Sequence, residues 1–283
     1  MSGIKEIKRR IKSISNTKQI IKAMELVSVV KMQKAVSVNL SSRKYSDNAN
    51  IILTDIIRTG ETKKHPLVVS KSGEKSLVLV VTSDRGLAGS LNIKTIKETV
   101  DKYGKDLNAD FISIGKKGRD FLKNYGFNVI AEFNKISEKP EYRRVLPIIH
   151  LAKTEFLSGK YKEVVVVYPH FVSTLVQKSE VVKLLPFEVK ETEGENMDRV
   201  IFEPDKDIII NTLIPRVLEI NLWQIILEAV ASEHSARMVS MKSANENAGD
   251  LIDDLTLTFN QNRQANITRE LAEISAGKMT LEG

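Results

Sequence analysis

The sequence has no cysteine, one tryptophan and only four histidines among its 283 residues. The lack of cysteine excludes disulfide bonds, thiolate catalysis and zinc sites with cysteine ligands. The histidines, His65, His150, His170 and His234, are far apart, and none has the His-Glu-x-x-His spacing of a zinc hydrolase. We therefore expect no metal site and no cofactor.

The sequence also lacks a long apolar run and an export signal. Its longest apolar segments, such as residues 77–81 and 164–167, have the length of a strand, whereas a membrane-spanning helix needs about 20 apolar residues. The basic N-terminus leads into spaced isoleucines and not into a continuous apolar block. We expect any association with a membrane to go through partner proteins.

Positive and negative charges are unevenly placed along the chain. Residues 1–44 hold eleven Lys/Arg and two Glu, a net charge of +9, and residues 205–283 hold seven Lys/Arg and twelve Asp/Glu, a net charge of −5. The two ends would attract each other side by side. The basic end has no interleaved aromatic residues and no nucleic-acid recognition motif, so we expect no nucleic acid as partner. A coiled coil that binds nucleic acid or acts as a scaffold remains the alternative.

The first part of the chain contains none of the residues that interrupt helices. No proline or glycine occurs between residues 4 and 58. Isoleucines at the 3-4 spacing of a coiled-coil seam open this stretch; the apolar positions then drift and reappear later. The predicted seam is Ile4, Ile7, Ile11, Ile14, Ile20, Met24, Val27, Tyr45, Ala49, Ile52 and Ile56. We expect one helix of about 80 Å, given the rise per residue of an α-helix.

The last part of the chain has a more regular pattern. Its predicted seam is Leu213, Val217, Ile220, Leu227, Ala231, Met238, Met241, Ala248, Ile252, Leu255 and Phe259, with polar residues at the seam positions Gln224, His234 and Asn245. Such polar residues weaken packing but fix register. Residues 203–205, Glu-Pro-Asp, are a helix start signal, and Pro215 predicts a break or a kink. We expect this helix, of about 110 Å, to pair with the first as a long antiparallel coiled coil.

The middle of the chain alternates short apolar strands with helical patterns, which is typical of a mostly parallel sheet. The predicted strands are residues 76–82, 110–114, 128–133, 163–167 and 179–185, and the predicted helices are residues 91–103, 116–125 and 141–157. The expected fold class is thus α/β, a central Rossmann-like domain with a terminal coiled coil. The expected domains are residues 1–58, 75–190 and 205–283, with polar linkers at 59–73 and 190–198.

The loop TSDRGLAGSLN at residues 82–92 follows a strand and precedes a helix, where phosphates often bind. Its two glycines, Gly86 and Gly89, match neither the Rossmann nor the Walker fingerprint. We expect a tight turn in which Asp84 or Ser90 caps a helix. No Gly-x-Ser-x-Gly elbow or other catalytic constellation occurs, so we expect no catalysis by the chain alone. A nucleotide-dependent α/β enzyme with helical arms is the third hypothesis.

Separated motifs resemble those of the γ subunits of F-type ATP synthases. They are ISNTKQIIKAMELVS at 14–28 with KMQKA at 31–35, the loop at 82–92, and SEHSARMVSMKSANENA at 232–248 with NRQANITRELAEI at 262–274. The resemblance spans the chain, with the motifs in the family's order. Ala88 replaces the usual Cys, Ile21 replaces Thr, and residues 277–281 replace the Gly-Ala-x-Ala tail.

The resemblance implies a non-catalytic rotor shaft, on the cytoplasmic face of the cell membrane in a bacterial F1 sector. It couples ion-driven rotation of the c-ring to ATP synthesis or hydrolysis in the α3β3 hexamer, with the ε subunit at its foot. The implied contacts are with β, at the upper bearing for two residues and at the acidic lever loop for the others. These residues are Arg263 and Gln264, then Lys22, Met24, Arg85, Leu87 and Ala88.

Overall fold

A computed structural model describes residues 2–58, 65–104, 108–138, 140–187, 203 and 205–282. Its elements are α1 Ser2–Arg58, β1 Lys75–Val81, α2 Leu91–Tyr103, β2 Ala109–Ile114, α3 Lys116–Asn124, β3 Val129–Phe133, α4 Tyr142–Leu157, β4 Tyr161–Phe171, β5 Gln177–Leu185 and α5 Lys206–Glu282. An α/β sheet with long terminal helices is therefore confirmed as the fold class. The predicted linker at 190–198 lies outside the described residues, as does the central part of the linker at 59–73.

The chain divides into two compact units. The coil unit comprises Met1–Ser28 and Met238–Gly283, and the sheet unit comprises Val29–Arg237. The coil unit brings the beginning of the chain against its end, as the opposite charges predicted. The division into domains at 1–58, 75–190 and 205–283 stays a prediction.

The sheet has five strands in the order β3-β2-β1-β4-β5. All neighbours are parallel except β4 and β5, which are antiparallel. β1 lies in the middle and is buried over residues 76–81, which explains its continuous apolar run. β4 continues past the predicted end at residue 167 because Tyr168 and the residues after it pair with β5.

Alternate residues of β1 face opposite layers of helices. Val78 and Val80 belong to the core under α3, which contributes Leu122. Leu77 and Leu79 belong to the core that includes α4 and α5. The sheet is thus covered on both faces, as the alternation of strands and helices predicted.

In the sheet unit, the stretch of α5 at residues 224–237 is buried on every side between α1 and the sheet. Every residue from 224 to 237 is buried. Polar pairs fix its register against α1: Asn39 Oδ1 accepts a hydrogen bond of 2.5 Å from Gln224 Nε2, and Asn50 Nδ2 donates one of 2.8 Å to Asn221 Oδ1. The register role expected of Gln224 is therefore supported by a direct partner.

The start of α5 agrees with its sequence signals in part. Asp205 Oδ1 accepts hydrogen bonds from the backbone amides of Asp207 and Ile208, at 2.8 and 3.3 Å, and so caps the helix. The helix runs through Pro215 without a break. Of the two outcomes predicted for this proline, the break is therefore wrong.

The predicted seam of α5 is confirmed, since every position in it is buried or half-buried. The seam predicted for α1 is confirmed at Ile4, Ile7, Ile11, Ile14, Met24, Ala49 and Ile56, which are buried or half-buried, and is wrong at the four other positions. Ile20, Val27, Tyr45 and Ile52 are 62%, 56%, 60% and 52% exposed. An unbroken 3-4 repeat continues instead through buried or half-buried residues, namely Lys18, Ile21, Glu25, Ser28, Met32, Ala35, Asn39, Ser42, Ser46, Ala49, Leu53 and Ile56.

The composition of this seam explains the error. Many of its side chains are small or polar, so a search for apolar spacing finds the exposed neighbours instead. In the coil unit, the half-buried side chain of Lys18 lies against Gly249 of α5. A Cβ placed on Gly249 would lie only 2.9 Å from the Lys18 Nζ. The buried face of α1 therefore includes a charged residue at a position where α5 has no side chain.

A buried carboxylate joins the strands at the amino edge of the sheet. Asp110 is 1% exposed and accepts hydrogen bonds from Lys160 Nζ, Asn128 Nδ2 and Tyr161 OH at 2.8 Å each, and from Lys75 Nζ at 3.3 Å. Burial alone would raise the pKa of Asp110, but these donors outweigh it and hold the pKa well below its ordinary value. Asp110 therefore ties β1, β2 and β4 together as an anion.

Replacing Asp110 by alanine should lower the free energy of unfolding by about 3 kcal/mol at pH 7, because the buried Tyr161 hydroxyl and two ammonium groups lose their acceptor. Since the folded-state pKa is depressed, this contribution should be present above about pH 4 and disappear as the pH falls below it. Urea unfolding measures both effects. Asp120→Ala, at an exposed carboxylate paired with Arg119, should cost about 0.5 kcal/mol or less. Equal losses in the two variants would contradict the role given to Asp110.

Candidate partner-contact surfaces

The loop at residues 82–92 is a tight turn closed by its own side chains. Asn92 Oδ1 accepts a hydrogen bond of 3.0 Å from the Ser83 amide, and Asn92 Nδ2 donates one of 2.8 Å to Ser83 Oγ. Ser83 Oγ in turn donates to the Arg85 carbonyl at 2.6 Å. Leu87 and Gly89 have φ values of 64° and 56°, so the backbone turns sharply at both. The predicted tight turn is confirmed.

The residues predicted to cap a helix from this loop do something else. Ser90 occupies the N-cap of α2 but makes no side-chain hydrogen bond there. Asp84 Oδ2 accepts a hydrogen bond of 2.8 Å from the Lys135 amide and so fixes the loop that follows β3. The capping prediction is therefore wrong, because Ser90 makes no cap bond and Asp84 bonds to the loop after β3 instead.

The position where doubly wound sheets bind nucleotides is filled in this chain. At the carboxyl edge of β1 and β4, side chains of α5 leave an enclosed cavity of about 10 Å³, which has room for about one water molecule. The lining from α5 is Ile226, Ala229, Val230 and Glu233. Two backbone amides in the first turn of α3 already have acceptors within the chain. The Gly118 amide donates to Thr82 Oγ1, and the Lys117 amide donates to the Ser83 carbonyl. This geometry gives the nucleotide-enzyme hypothesis no support.

Two of the four histidines lie next to charged or acidic side chains. His170 Nδ1 lies 2.7 Å from Glu228 Oε2, and His234 Nδ1 lies 3.4 Å from Arg237 Nη1. Among the described residues, no three His, Asp or Glu side chains are grouped so that they could hold a metal ion. No helix in that same part of the chain has the length and hydropathy to cross a bilayer.

Only some of the loop residues predicted to contact a partner have exposed side chains. The Arg85 side chain is 77% exposed, with an ion pair of 2.7 Å to Glu138, and Leu87 is 57% exposed. Ala88 is only 2% exposed and packs with Leu91 and Ala236. The Ala88 side chain therefore has a packing role within the chain, and its predicted contact with a partner stays a prediction.

The other predicted contact residues belong to the coil unit. Lys22 has a side chain 51% exposed, with Nζ 3.1 Å from Glu25 Oε1, and Met24 is half-buried. Arg263 and Gln264 are exposed on α5. Arg263 also lines an open groove of about 250 Å³ together with Ile4, Lys5, Asn266, Ile267 and Glu270. These side chains can reach a partner without rearrangement of the helix pair.

A buried ionic cluster that the sequence did not predict lies next to the loop. Arg237, with a side chain 10% exposed, donates from Nη2 to Glu233 Oε1 at 2.8 Å. Its Nε and Nη2 also donate to the Gly86 and Arg85 carbonyls, both at 3.3 Å. One feature of the sequence indicates this cluster. Glu233 and Arg237 are four residues apart, in a segment whose seam residues are predicted to be buried.

The cluster controls the charge of its members. Burial raises the pKa of Glu233, against the opposing effect of Arg237. Burial, together with the charges of Arg237 and Lys31, lowers the pKa of His234 to about 4. His234 is therefore neutral at pH 7, in line with the packing role expected from its sequence position.

The depressed pKa of His234 predicts a pH dependence of stability. Above pH 6.5 His234 is neutral in the folded and in the unfolded chain. Between pH 6.5 and 4 the unfolded chain binds a proton at this histidine and the folded chain does not, so the free energy of unfolding should fall. The loss should reach about 3 kcal/mol at most. His234→Gln should remove it, whereas His150→Gln, at an exposed histidine, should behave like the unmodified chain. Urea midpoints at pH 7.5 and 4.5 measure the difference, and identical pH dependence in both variants would contradict the assignment.

Known proteins match the chain along its whole length. A family model described as ATP synthase matches residues 3–281. An ATP synthase gamma chain of Roseiflexus castenholzii is 40% identical over 287 residues, covering 99% of each chain. One of Pelotomaculum thermopropionicum is 39% identical over 284 residues, covering all of both chains.

Solved structures share the fold at lower identity. A chain of the Euglena gracilis mitochondrial ATP synthase, solved with OSCP, F1 and c-ring, has a TM-score of 0.69 at 18% identity, covering 99% of this chain and 94% of its own. A chain of the Tetrahymena thermophila mitochondrial ATP synthase, from its central stalk and c-ring, has a TM-score of 0.65 at 21% identity, covering 80% of this chain and 99% of its own. Both likenesses concern the fold.

Proposed function

The chain belongs to the ATP synthase gamma chain family, and from that premise we propose that it is the central rotor shaft of an F-type ATP synthase. The single observation that supports this function best is the match to gamma chains over 99% or more of this chain. The chain would take part in ATP synthesis as one subunit of the complex, without catalysing a reaction itself.

The helix packing supports a mechanical function. In the sheet unit, α5 is enclosed by α1 and the sheet, and in the coil unit the two terminal segments pack along the 3-4 seam. Two packed helices resist bending and twisting better than one. Their outward faces differ, because α1 exposes Ile20 and Val27 whereas α5 exposes Arg263 and Gln264. A rotating pair of this kind would present a different surface to its surroundings at each angle.

The proposed partners are the α3β3 hexamer, the ε subunit and the membrane c-ring. The matching Tetrahymena chain was solved as part of a central stalk with its c-ring, which supports the c-ring as partner here. Association with the membrane would then go through partner subunits, at the cytoplasmic face of a bacterial cell membrane. This location is proposed from the bacterial gamma chains that the sequence matches.

Contacts with the catalytic β subunits are assigned to the exposed candidate residues. Lys22 and Arg85 would face the acidic lever loops of β, and Arg263 with Gln264 would face β at the upper bearing. Each cation is solvated, so a pair with an acidic side chain contributes roughly 0 to 1 kcal/mol. Such contacts can form and break during rotation without holding the shaft at one angle. Met24 and Leu87 would add small apolar contacts beside them.

A reconstitution tests the proposal. The purified chain alone should hydrolyse no ATP, whereas its addition to α and β subunits should yield an assembly whose ATP turnover depends on it. The double variant Lys22→Ala with Arg263→Ala should lower that turnover several-fold, because two cationic contacts with β are lost at once. Lys44→Ala, at an exposed lysine of α1 outside the candidate surface, serves as the control for loss of charge and should have little effect.

Other outcomes of the same work would overturn the proposal. Turnover that is the same with and without the chain would exclude a rotor function. Tight DNA binding that weakens steeply with salt, without affinity for α3β3, would favour the nucleic-acid alternative. ATP hydrolysis by the chain alone would favour the enzyme alternative.

A further inference from the structure

The backbone of the loop at residues 82–92 is held by a side chain of another element. Arg237, on α5, donates from Nε to the Gly86 carbonyl at 3.3 Å and from Nη2 to the Arg85 carbonyl at 3.3 Å. The same Nη2 donates to Glu233 Oε1 at 2.8 Å. Arg237 thus binds its own helix and the loop at the same time.

The burial of Arg237 makes this attachment firm. Its side chain is 10% exposed and that of Glu233 is 8% exposed, so neither group can exchange its partner for bulk water. Hydrogen bonds from a charged donor are stronger than neutral ones, and the guanidinium offers several donors in a rigid plane. A lysine at this position would keep the charge but could not bind both carbonyls and the carboxylate in the same geometry.

The loop also packs against the same stretch of α5 through apolar side chains. Ala88 is 2% exposed and forms a small core with Leu91 and Ala236. The loop therefore touches α5 through one apolar and one polar contact at neighbouring positions of the helix. Between these contacts it projects Arg85 and Leu87 to the surface, with Leu87 held in a left-handed conformation.

We propose that Arg237 is the positioning residue that makes the loop at 82–92 move with α5, so that the exposed side chains of Arg85 and Leu87 follow the helix instead of yielding to a partner. The inference rests on the proposed function, in which these two side chains press on the β subunit. A loop free to move would absorb the force at that contact. The Arg237 guanidinium prevents this movement, because it binds the two backbone carbonyls just before Leu87. Arg237 itself belongs to a helix stretch that is enclosed by the rest of the unit.

The first experiment measures loop motion in the full chain alone. Since the chain has no cysteine, Leu87→Cys gives a single attachment point for a nitroxide spin label. Arg237→Met should shorten the rotational correlation time of this label about twofold or more, because the carbonyls at Arg85 and Gly86 lose their donors. Arg237→Lys should shorten it less. A label at Tyr125→Cys, exposed at the end of α3, should not respond.

Folding is controlled separately. Circular dichroism and thermal melting show whether each variant is folded, and Lys242→Met removes an exposed positive charge from α5 as the matched control. If Arg237→Met does not fold, Arg237→Lys decides, since it keeps a cation beside Glu233. An unchanged label at position 87 in a folded Arg237 variant would overturn the proposal, because a residue that only stabilises the fold lowers the melting temperature without loosening the loop.

The second experiment measures transmission in the reconstituted complex. Arg237→Met should lower rotor-dependent ATP turnover by about the same factor as the pair Arg85→Ala with Leu87→Ala, and combining all three changes should bring little further loss. Fully additive losses would overturn the proposal. A loosened loop with unchanged turnover would confirm the positioning by Arg237 and contradict the contact of Arg85 and Leu87 with β. The two ideas can therefore fail separately.

Discussion

The enclosure of α5 is the constraint on which the sheet unit depends. A helix stretch that is buried on all sides cannot leave polar side chains to water, so charged and amide side chains on it are stabilised by partners inside the protein. Gln224 bonds to Asn39 of α1, Glu228 bonds to Tyr168 and His170 of β4, and Glu233 bonds to Arg237. Each pair is directional. Together they fix the rotation and the height of α5 against its neighbours, which apolar packing alone would leave more adaptable.

The second constraint is the unequal sharing of the seam between the two long helices. α5 supplies most of the large apolar residues, and α1 supplies small and polar ones such as Ser28, Ala35 and Ser46. Small residues let the backbones approach closely, and their hydroxyl and amide groups can bond across the interface, as Asn50 does with Asn221. Other large apolar residues of α1, such as Ile20, Val27 and Ile52, lie on its outer face, where they are exposed.

This division explains how far the sequence could predict the structure. The seam of α5 follows directly from apolar spacing, and so do the strands, because buried parallel strands are continuous apolar runs. The seam of α1 does not, since Lys18 and Glu25 are recognisable as seam positions only once Gly249 and the rest of α5 lie opposite. The exposed candidates Arg85 and Leu87 came from the family resemblance. The pair of Glu233 and Arg237 is visible in the sequence as an i,i+4 spacing, but the attachment of Arg237 to the loop is not, because a backbone carbonyl can accept a hydrogen bond whatever the residue type.

Buried and exposed charges have opposite physical roles in this chain. An ion pair such as Arg237 with Glu233 is out of reach of water, so breaking it would leave an uncompensated charge and the geometry stays fixed. The solvated cations Lys22 and Arg85 lose little when a partner leaves, because water takes its place. In the proposed function the chain turns inside a ring of other subunits, and this rotation requires both properties. Its internal geometry must persist through a full rotation, while each external contact must be released at every step. The chain meets these requirements because its strong polar interactions lie around α5. The cationic side chains at its surface, such as Lys22 and Arg85, are solvated and make only weak ion pairs.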